Sequence, residues 1–446
     1  MHDILILAII LGSVPICFFK PYFGVLMWTW IAYFSPHRFA FSPTVYYFPV
    51  AIVIAVPTLT GLLFTRDMNR RIFTREMVVM LLLWVWLGVT LVYAANEPAF
   101  AGHIDAGKFM LERISKILLM TVVMALLVNS HKKLKYLYLV TALSFGLLAV
   151  KGTMFGWSTG WTSRVWGPPD SFIADNNDFA LALNMSLPIM FYLAQDTESR
   201  LLRVLLRVLF VAGIISVVLT YSRGGLIGLA AVLVVIAIKS KKKLIAGVTL
   251  TACILLVLNF APEKWMARMQ TISEGTQDET AHERVITWGF AWNLVKDYPI
   301  TGGGLEAFPD VALFQAYTPE RLPNGYKASS AHSIYFQVLG ETGFVGLGLF
   351  LLSLAFALAS TRKIRKLSQR MPALSWLKPY ANMVETGLIG FMISGAFLSR
   401  PYFDFFFQFI ATVVIIKILS RREITQRDSA VQTISVETRE GELVAT

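Results

Sequence analysis

Apolar runs of about 20 residues recur along most of this chain, separated by short polar connections. They fall near 4–19, 22–35, 45–65, 76–95, 108–128, 133–150, 178–195, 202–220, 224–239, 243–260, 333–360, 380–398 and 402–419. Hydrocarbon offers backbone groups no partner, so each run must satisfy its own hydrogen bonds. Continuous apolarity without alternation at every second position excludes a β-barrel wall. The pattern predicts an all-α polytopic membrane protein with about 12 or 13 crossings. The first two runs are short and divided by Lys20-Pro21, which leaves full crossing and a re-entrant pair both open. No internal repeat suggests duplicated halves.

Four basic blocks orient the chain: 66–75, 130–135, 239–243 and 361–370. Basic connections stay on the cytoplasmic side, which also puts 196–207 there. The connections 96–107, 151–177, 220–225 and 261–331 then lie outside. The division expected is an N-terminal helical region over 1–260, a periplasmic loop over 261–331, C-terminal membrane helices over 332–420 and a loosely ordered cytoplasmic tail over 421–446. The opening stretch lacks a basic leader and a small-residue cleavage site, so it is expected to be retained.

Composition supports this picture: 56% of residues are hydrophobic and 15% charged, against about 25% charged in soluble domains. The net charge of +12 sits largely in short blocks between spans, which makes it an orientation signal and not a nucleic-acid surface. Cys17 and Cys253 both lie in apolar text, so neither a disulfide framework nor a thiolate metal site is favoured. The 11 Trp and 15 Tyr fit interfacial belts.

The polar stretch 261–331 interrupts the apolar text and is where action is expected. Through residue 330 it holds six Lys or Arg and nine Asp or Glu, so any anion binding there must be local. Residues 281–295 carry apolar positions at helical spacing and predict an amphipathic helix with Arg284 in its first turn. Gly302-Gly303-Gly304 lacks the following Gly-Lys-Ser/Thr of a Walker loop and predicts a tight turn. His332 enters the next span from the outer face, as a cap or as a base. Glu341 interrupts that span and must be paired, either orienting His332, meeting an arginine or supporting helix packing. Arg223, with Gly224 and Gly225, lies between two spans on the same side, as does Arg164 between Trp161 and Trp166. Asn176 and Asn177 sit in an Asp-Asn-Asn-Asp run that caps the next helix or contacts a sugar. The same run is a weak candidate for a hard cation.

These segments resemble the bacterial O-antigen ligase family. The likeness covers roughly 155–420 and rests on SRGG at 222–225, Arg284 with Trp288, GGGLEAF at 302–308 and AHSIYFQVLGETGFVGL at 331–347. The text at 20–41 is similar to the branch of exosortase-associated O-glycosylation ligases. The resemblance implies inverting, metal-independent transfer of a glycan from undecaprenyl pyrophosphate to lipid A-core at the periplasmic face of the inner membrane, without a cofactor. It implies His332 as catalytic base and Arg223 and Arg284 as pyrophosphate binders. Arg164 is added on its outward position, and Glu341, Asn176 and Asn177 as supporting residues. The partners expected are the lipid-linked donor, the lipid A-core acceptor and membrane lipids. An O-antigen polymerase or a protein O-glycosylation ligase differs chiefly in acceptor. A glycolipid transporter would use the same arginines for translocation.

Overall fold

The computed structural model describes residues 2–240, 279–318, 330–398 and 400–444. The expected span 243–260, most of the basic block 239–243, Cys253 and residues 261–278 and 319–329 of the polar stretch lie outside the described residues. Among the described residues every regular element is helical. The main helices are α1 (His2–Phe19), α2 (Pro21–Phe34), α3 (Val50–Phe64), α4 (Arg75–Asn96), α5 (Ile104–Leu127), α6 (His131–Ser158) and α7 (Asn176–Asp196). They continue as α8 (Arg200–Leu219), α9 (Arg223–Lys239), α10 (Glu279–Asp297), α11 (Ile334–Arg370), α12 (Leu377–Gly395) and α13 (Asp404–Val444).

The chain is an all-α, multi-pass membrane protein. Among the described residues, α4, α6, α8 and α11 are long and apolar enough to cross a membrane, and α1 and α3 are shorter apolar helices. The other expected spans that lie within the described residues also form helices. α13 runs past its apolar part to Val444, where a loosely ordered tail is expected. Residues 421–440 hold neither Pro nor Gly, so nothing in that text terminates the helix.

α7, α12 and the apolar part of α13 are buried on nearly every side, as a helix apolar all round must be. Buried polar groups link them to their neighbours. Tyr33 Oη donates to Gln408 Oε1 at 2.5 Å, Gln408 Nε2 to Thr141 Oγ1 at 3.0 Å and Tyr138 Oη to Thr412 Oγ1 at 3.0 Å. Lipid supplies no such partners, so these bonds fix the order of α2, α6 and α13 in the bundle.

At one end of the bundle the polar groups are ionic. The fully buried Glu76 carboxylate receives Lys417 Nζ at 2.6 Å, Ser360 Oγ at 2.6 Å and Arg75 Nε at 3.0 Å. Glu385 likewise receives Lys239, Arg362 and Arg365. Removing one partner of a buried pair strands the other charge. Lys417→Ala leaves the buried Glu76 carboxylate with only the half-exposed Arg75 as a cation among the described residues and is expected to cost about 3 kcal/mol of stability, read as a lowered midpoint of thermal unfolding in detergent. Arg362→Ala, whose partner keeps two other cations, should move it much less.

Candidate functional site

At the other end of the bundle α10 lies against the chain that enters α11. Ile286, Phe290 and Leu294 recur at four-residue spacing and are buried with Ala291 in a small core completed by Phe100, Phe308, Phe314 and Ala331. An adjoining edge of α10 grips the backbone before α11. Trp288 Nε1 donates to the Ala331 carbonyl at 2.9 Å, and its ring stacks on Phe336 with centroids 5.0 Å apart. The Ala331 N–H donates to Gln337 Oε1 at 2.9 Å. Both polar backbone groups of the residue before His332 are thus pinned by side chains. His332 has a φ of +47°, which few residues with a Cβ adopt and which its surroundings must therefore hold.

The same network reaches Glu341. Gln337 Nε2 donates to Glu341 Oε1 at 2.5 Å, and the Glu306 N–H donates to the same oxygen at 3.2 Å. Glu341 is therefore bound to Gln337 and to the Glu306 backbone, and Gln337 links it to the Ala331 N–H beside His332.

The glycines at 302–304 and those at 340 and 343 explain each other. The Gly303 N–H donates to the Gly340 carbonyl at 2.9 Å, the Gly304 N–H to the Glu341 carbonyl at 3.0 Å and the Phe344 N–H to the Pro299 carbonyl at 2.9 Å. A Cβ on Gly302 would stand 2.5 Å from the Gly340 carbonyl oxygen, and one on Gly343 2.3 Å from that of Ile300. α11 breaks at Gly343, where φ is +64° and ψ −168°. His103 completes the lock, with Nδ1 2.9 Å from Asp310 Oδ2 and Nε2 2.9 Å from the Gly303 carbonyl. This interlock delivers Glu306, itself at a φ of +63°, beside Glu341. Strained, non-glycine backbone of this kind costs about 1–3 kcal/mol and clusters at functional positions.

Two adjoining cavities open here. One of about 260 Å³ is lined by Asp175, Asn177, Asp178, Ser330, His332, Leu398 and Arg400. The other, about 70 Å³, is lined in part by Phe172, Glu306, Gln337, Glu341, Arg400 and Tyr402. Ser330 and Arg400 border both. Arg400 Nε donates to Asp178 Oδ2 at 2.6 Å. Its Cζ lies 5.3 Å from the centre of the Phe172 ring, over which Arg113 also sits at 4.2 Å.

The electrostatics separate the two sides. Burial lowers the pKa of His332 below its ordinary 6.5, and Arg284 lowers it further while Asp175 opposes. The neutral imidazole therefore dominates at neutral pH. Neither ring nitrogen has a protein hydrogen-bond partner among the described residues, so both remain available to a ligand. Burial pushes the Glu306 carboxyl up against the opposing pull of Arg400, His103 and Arg113.

The structure brings His332, Asp175 and Asn177 onto one cavity, while Arg284 lines neither cavity and acts on His332 through its charge. It places other expected residues differently. Asn176 is buried, and its Nδ2 donates to the Thr220 carbonyl at 2.7 Å, holding the turn before Arg223. Asp175 caps α7 through Asn177 N–H at 2.8 Å. With Asp178 on Arg400, the Asp-Asn-Asn-Asp run is divided among separate structural tasks. Among the described residues no group of three or more His, Cys, Asp or Glu is placed to hold a metal ion.

Arg223 opens α9, partly buried. The glycines after it serve packing: a Cβ on Gly224 would meet Phe397 at 2.8 Å and one on Gly225 would meet Ala180 at 2.5 Å. Arg164 is exposed, near Tyr221, and borders neither cavity. Arg400 and Gln337 are not singled out by the sequence, and Glu306 stands there only within GGGLEAF at 302–308. Arg400 carried a readable signal, an arginine in a very short connection on the same side as Arg223.

Residues 208–351 match the family model described as O-Antigen ligase, and residues 1–198 match a family of unknown function (DUF5935). The first match takes in Arg223, Arg284, His332 and Glu341 and ends before Arg400. The second has no assigned function, so it carries the likeness to exosortase-associated ligases no further. No curated protein matches the chain.

Proposed function

We propose that this protein is a glycan ligase of the membrane, transferring a glycan from undecaprenyl pyrophosphate to the lipid A-core acceptor at the periplasmic face of the inner membrane. The observation that carries this reading is His332, held in a left-handed conformation with its imidazole open to a cavity bordered by arginine, inside the segment similar to O-antigen ligases.

In the reaction proposed, an acceptor hydroxyl attacks the anomeric carbon of the donor sugar from the face opposite the pyrophosphate. The new carbon–oxygen bond forms as the bond to the phosphate oxygen breaks, which inverts the anomeric configuration. The hydroxyl proton passes to His332 as this happens, because a sugar hydroxyl is too weak an acid to ionise beforehand. Undecaprenyl pyrophosphate leaves with the bonding pair. Arg284, Arg223 and Arg400 stabilise the charge that develops on it, and because intact pyrophosphate is already a good leaving group no nucleotide hydrolysis is needed. The remaining helices complete the 12 or so crossings of the bundle and present this site outward.

The test is reconstitution of the full chain with a defined lipid-linked glycan and lipid A-core, with and without EDTA. The expected product is core-linked glycan, formed at the same rate with chelator. Longer lipid-linked glycan would replace ligation with polymerisation. A labelled protein acceptor would replace it with protein O-glycosylation, and movement of donor without a new covalent bond with transport. Inhibition by EDTA, reversed by added metal, would end the metal-independent mechanism.

A further inference from the structure

We infer that Arg70, Arg71, Arg421 and Arg422 form a binding groove for the phosphate-bearing headgroup of an anionic membrane phospholipid, at the end of the bundle remote from His332. The distance follows from α13, which begins beside Arg400 and advances about 25 Å before it reaches Arg421. The groove, about 460 Å³, lies between the connection joining α3 to α4 and the polar half of α13. Two arginines come from each wall, and Met68 and Ile418 supply aliphatic surface between them.

Among the described residues the charge of this groove is offset only in part, by Asp67 acting on Arg422. Asp67 is taken by Lys133 Nζ at 2.7 Å and Asn129 Nδ2 at 2.5 Å. Glu423 accepts from Trp376 Nε1 at 3.0 Å, and Glu76 holds Lys417. Among the described residues the guanidinium groups of Arg70, Arg71 and Arg421 have no protein hydrogen bond or ion pair, while Arg422 reaches the Asn129 carbonyl at 3.4 Å and feels the charge of Asp67. Four exposed arginines lining one groove concentrate like charge, which an anion seated among them would offset.

Orientation of the chain accounts for positive charge near helix ends. It does not require two distant segments to converge on one cavity with an aliphatic floor. A phospholipid matches both features, because its phosphate meets the arginine forks and its chains continue onto apolar surface. That surface is present beside the groove, where Leu63, Phe64 and Phe73 are 80%, 75% and 74% exposed.

The test uses the purified full chain in a zwitterionic detergent, with phosphatidylglycerol, phosphatidylcholine of the same chains and inorganic phosphate as probes. Thermal unfolding is followed as each is titrated, and retained lipid is counted by native mass spectrometry. Phosphatidylglycerol is expected to raise the unfolding midpoint saturably and to be retained, and phosphatidylcholine to do neither. The variants R70Q/R71Q and R421Q/R422Q, each altering one wall, should weaken that response about tenfold. K363Q/K366Q, which removes the same charge from exposed positions at the same end, should leave it intact. Equal stabilisation by phosphatidylcholine overturns the inference, as does equal weakening in K363Q/K366Q, which would mean diffuse attraction. Full stabilisation by inorganic phosphate alone overturns the lipid assignment in favour of a free-phosphate site. The comparison of lipids on the unmodified chain stands even if one variant fails to fold.

Discussion

Replacing His332 with alanine is expected to lower the turnover of glycan transfer by about 10²- to 10⁴-fold, with donor affinity changed by less than about threefold. The backbone supports this separation. Position 332 is held by the grip of Trp288 and Gln337 on Ala331, and among the described residues no hydrogen bond to the imidazole contributes. Loss of the ring therefore removes a proton acceptor without releasing the loop. His332→Asn is the better second variant, because asparagine tolerates a positive φ and is no base at these pH values. The pH profile gives a signature that misplacement would not. Burial and Arg284 depress the imidazole pKa below 6.5, so the neutral form that accepts a proton is lost only as pH falls through that lowered value. Rate should be flat from neutral upward and fall on the acid side about tenfold per pH unit. His332→Asn should erase that acid limb. A limb unchanged in the variant, or equal loss of donor binding and turnover, would remove His332 from the role of base.

The helices were legible because hydrocarbon and packed interior impose the same demand on a sequence, namely long apolar runs closed on their own hydrogen bonds. The site was legible only in parts. Arg284, His332 and the glycines of 302–304 could be picked out one by one, since each residue type is costly or unusual in its setting. Their mutual contacts could not, because they join segments remote in the chain. The need for glycine at 302 is written at Gly340, and the need at 343 is written at Ile300. Gly224 and Gly225 illustrate the opposite difficulty. Beside an arginine they read as room for a headgroup, yet their missing side chains are replaced by Phe397 and Ala180. The left-handed backbone of Glu306 has no local signature, and that of His332 only a weak one, since histidine is modestly enriched there. It arises from contacts with α10 and α11.

Arg400→Lys is expected to cost about 10²- to 10³-fold in kcat, some 3–4 kcal/mol of transition-state stabilisation, although charge is conserved. The reason is the division of labour within one guanidinium. Its Nε is committed to Asp178 Oδ2 at 2.6 Å, and its remaining edge makes no protein hydrogen bond among the described residues where it borders both cavities. One planar group can thus be anchored on one side and present a two-pronged donor to phosphate oxygens on the other. An ammonium on a flexible stem has no such second edge and would be drawn to Asp178. Arg284→Lys should lose less, because its recorded influence on His332 is that of a nearby charge, which lysine retains. Asp178→Asn separates anchoring from binding: it should raise KM and lower kcat only in part, since the guanidinium stays present but is aimed less well. Single-turnover transfer and donor binding measured on all three variants, each checked for monodispersity and unfolding midpoint, resolve these effects. A kcat for Arg400→Lys within about threefold of the parent would show that leaving-group charge is stabilised elsewhere, with Arg223 and Arg284 then carrying it between them.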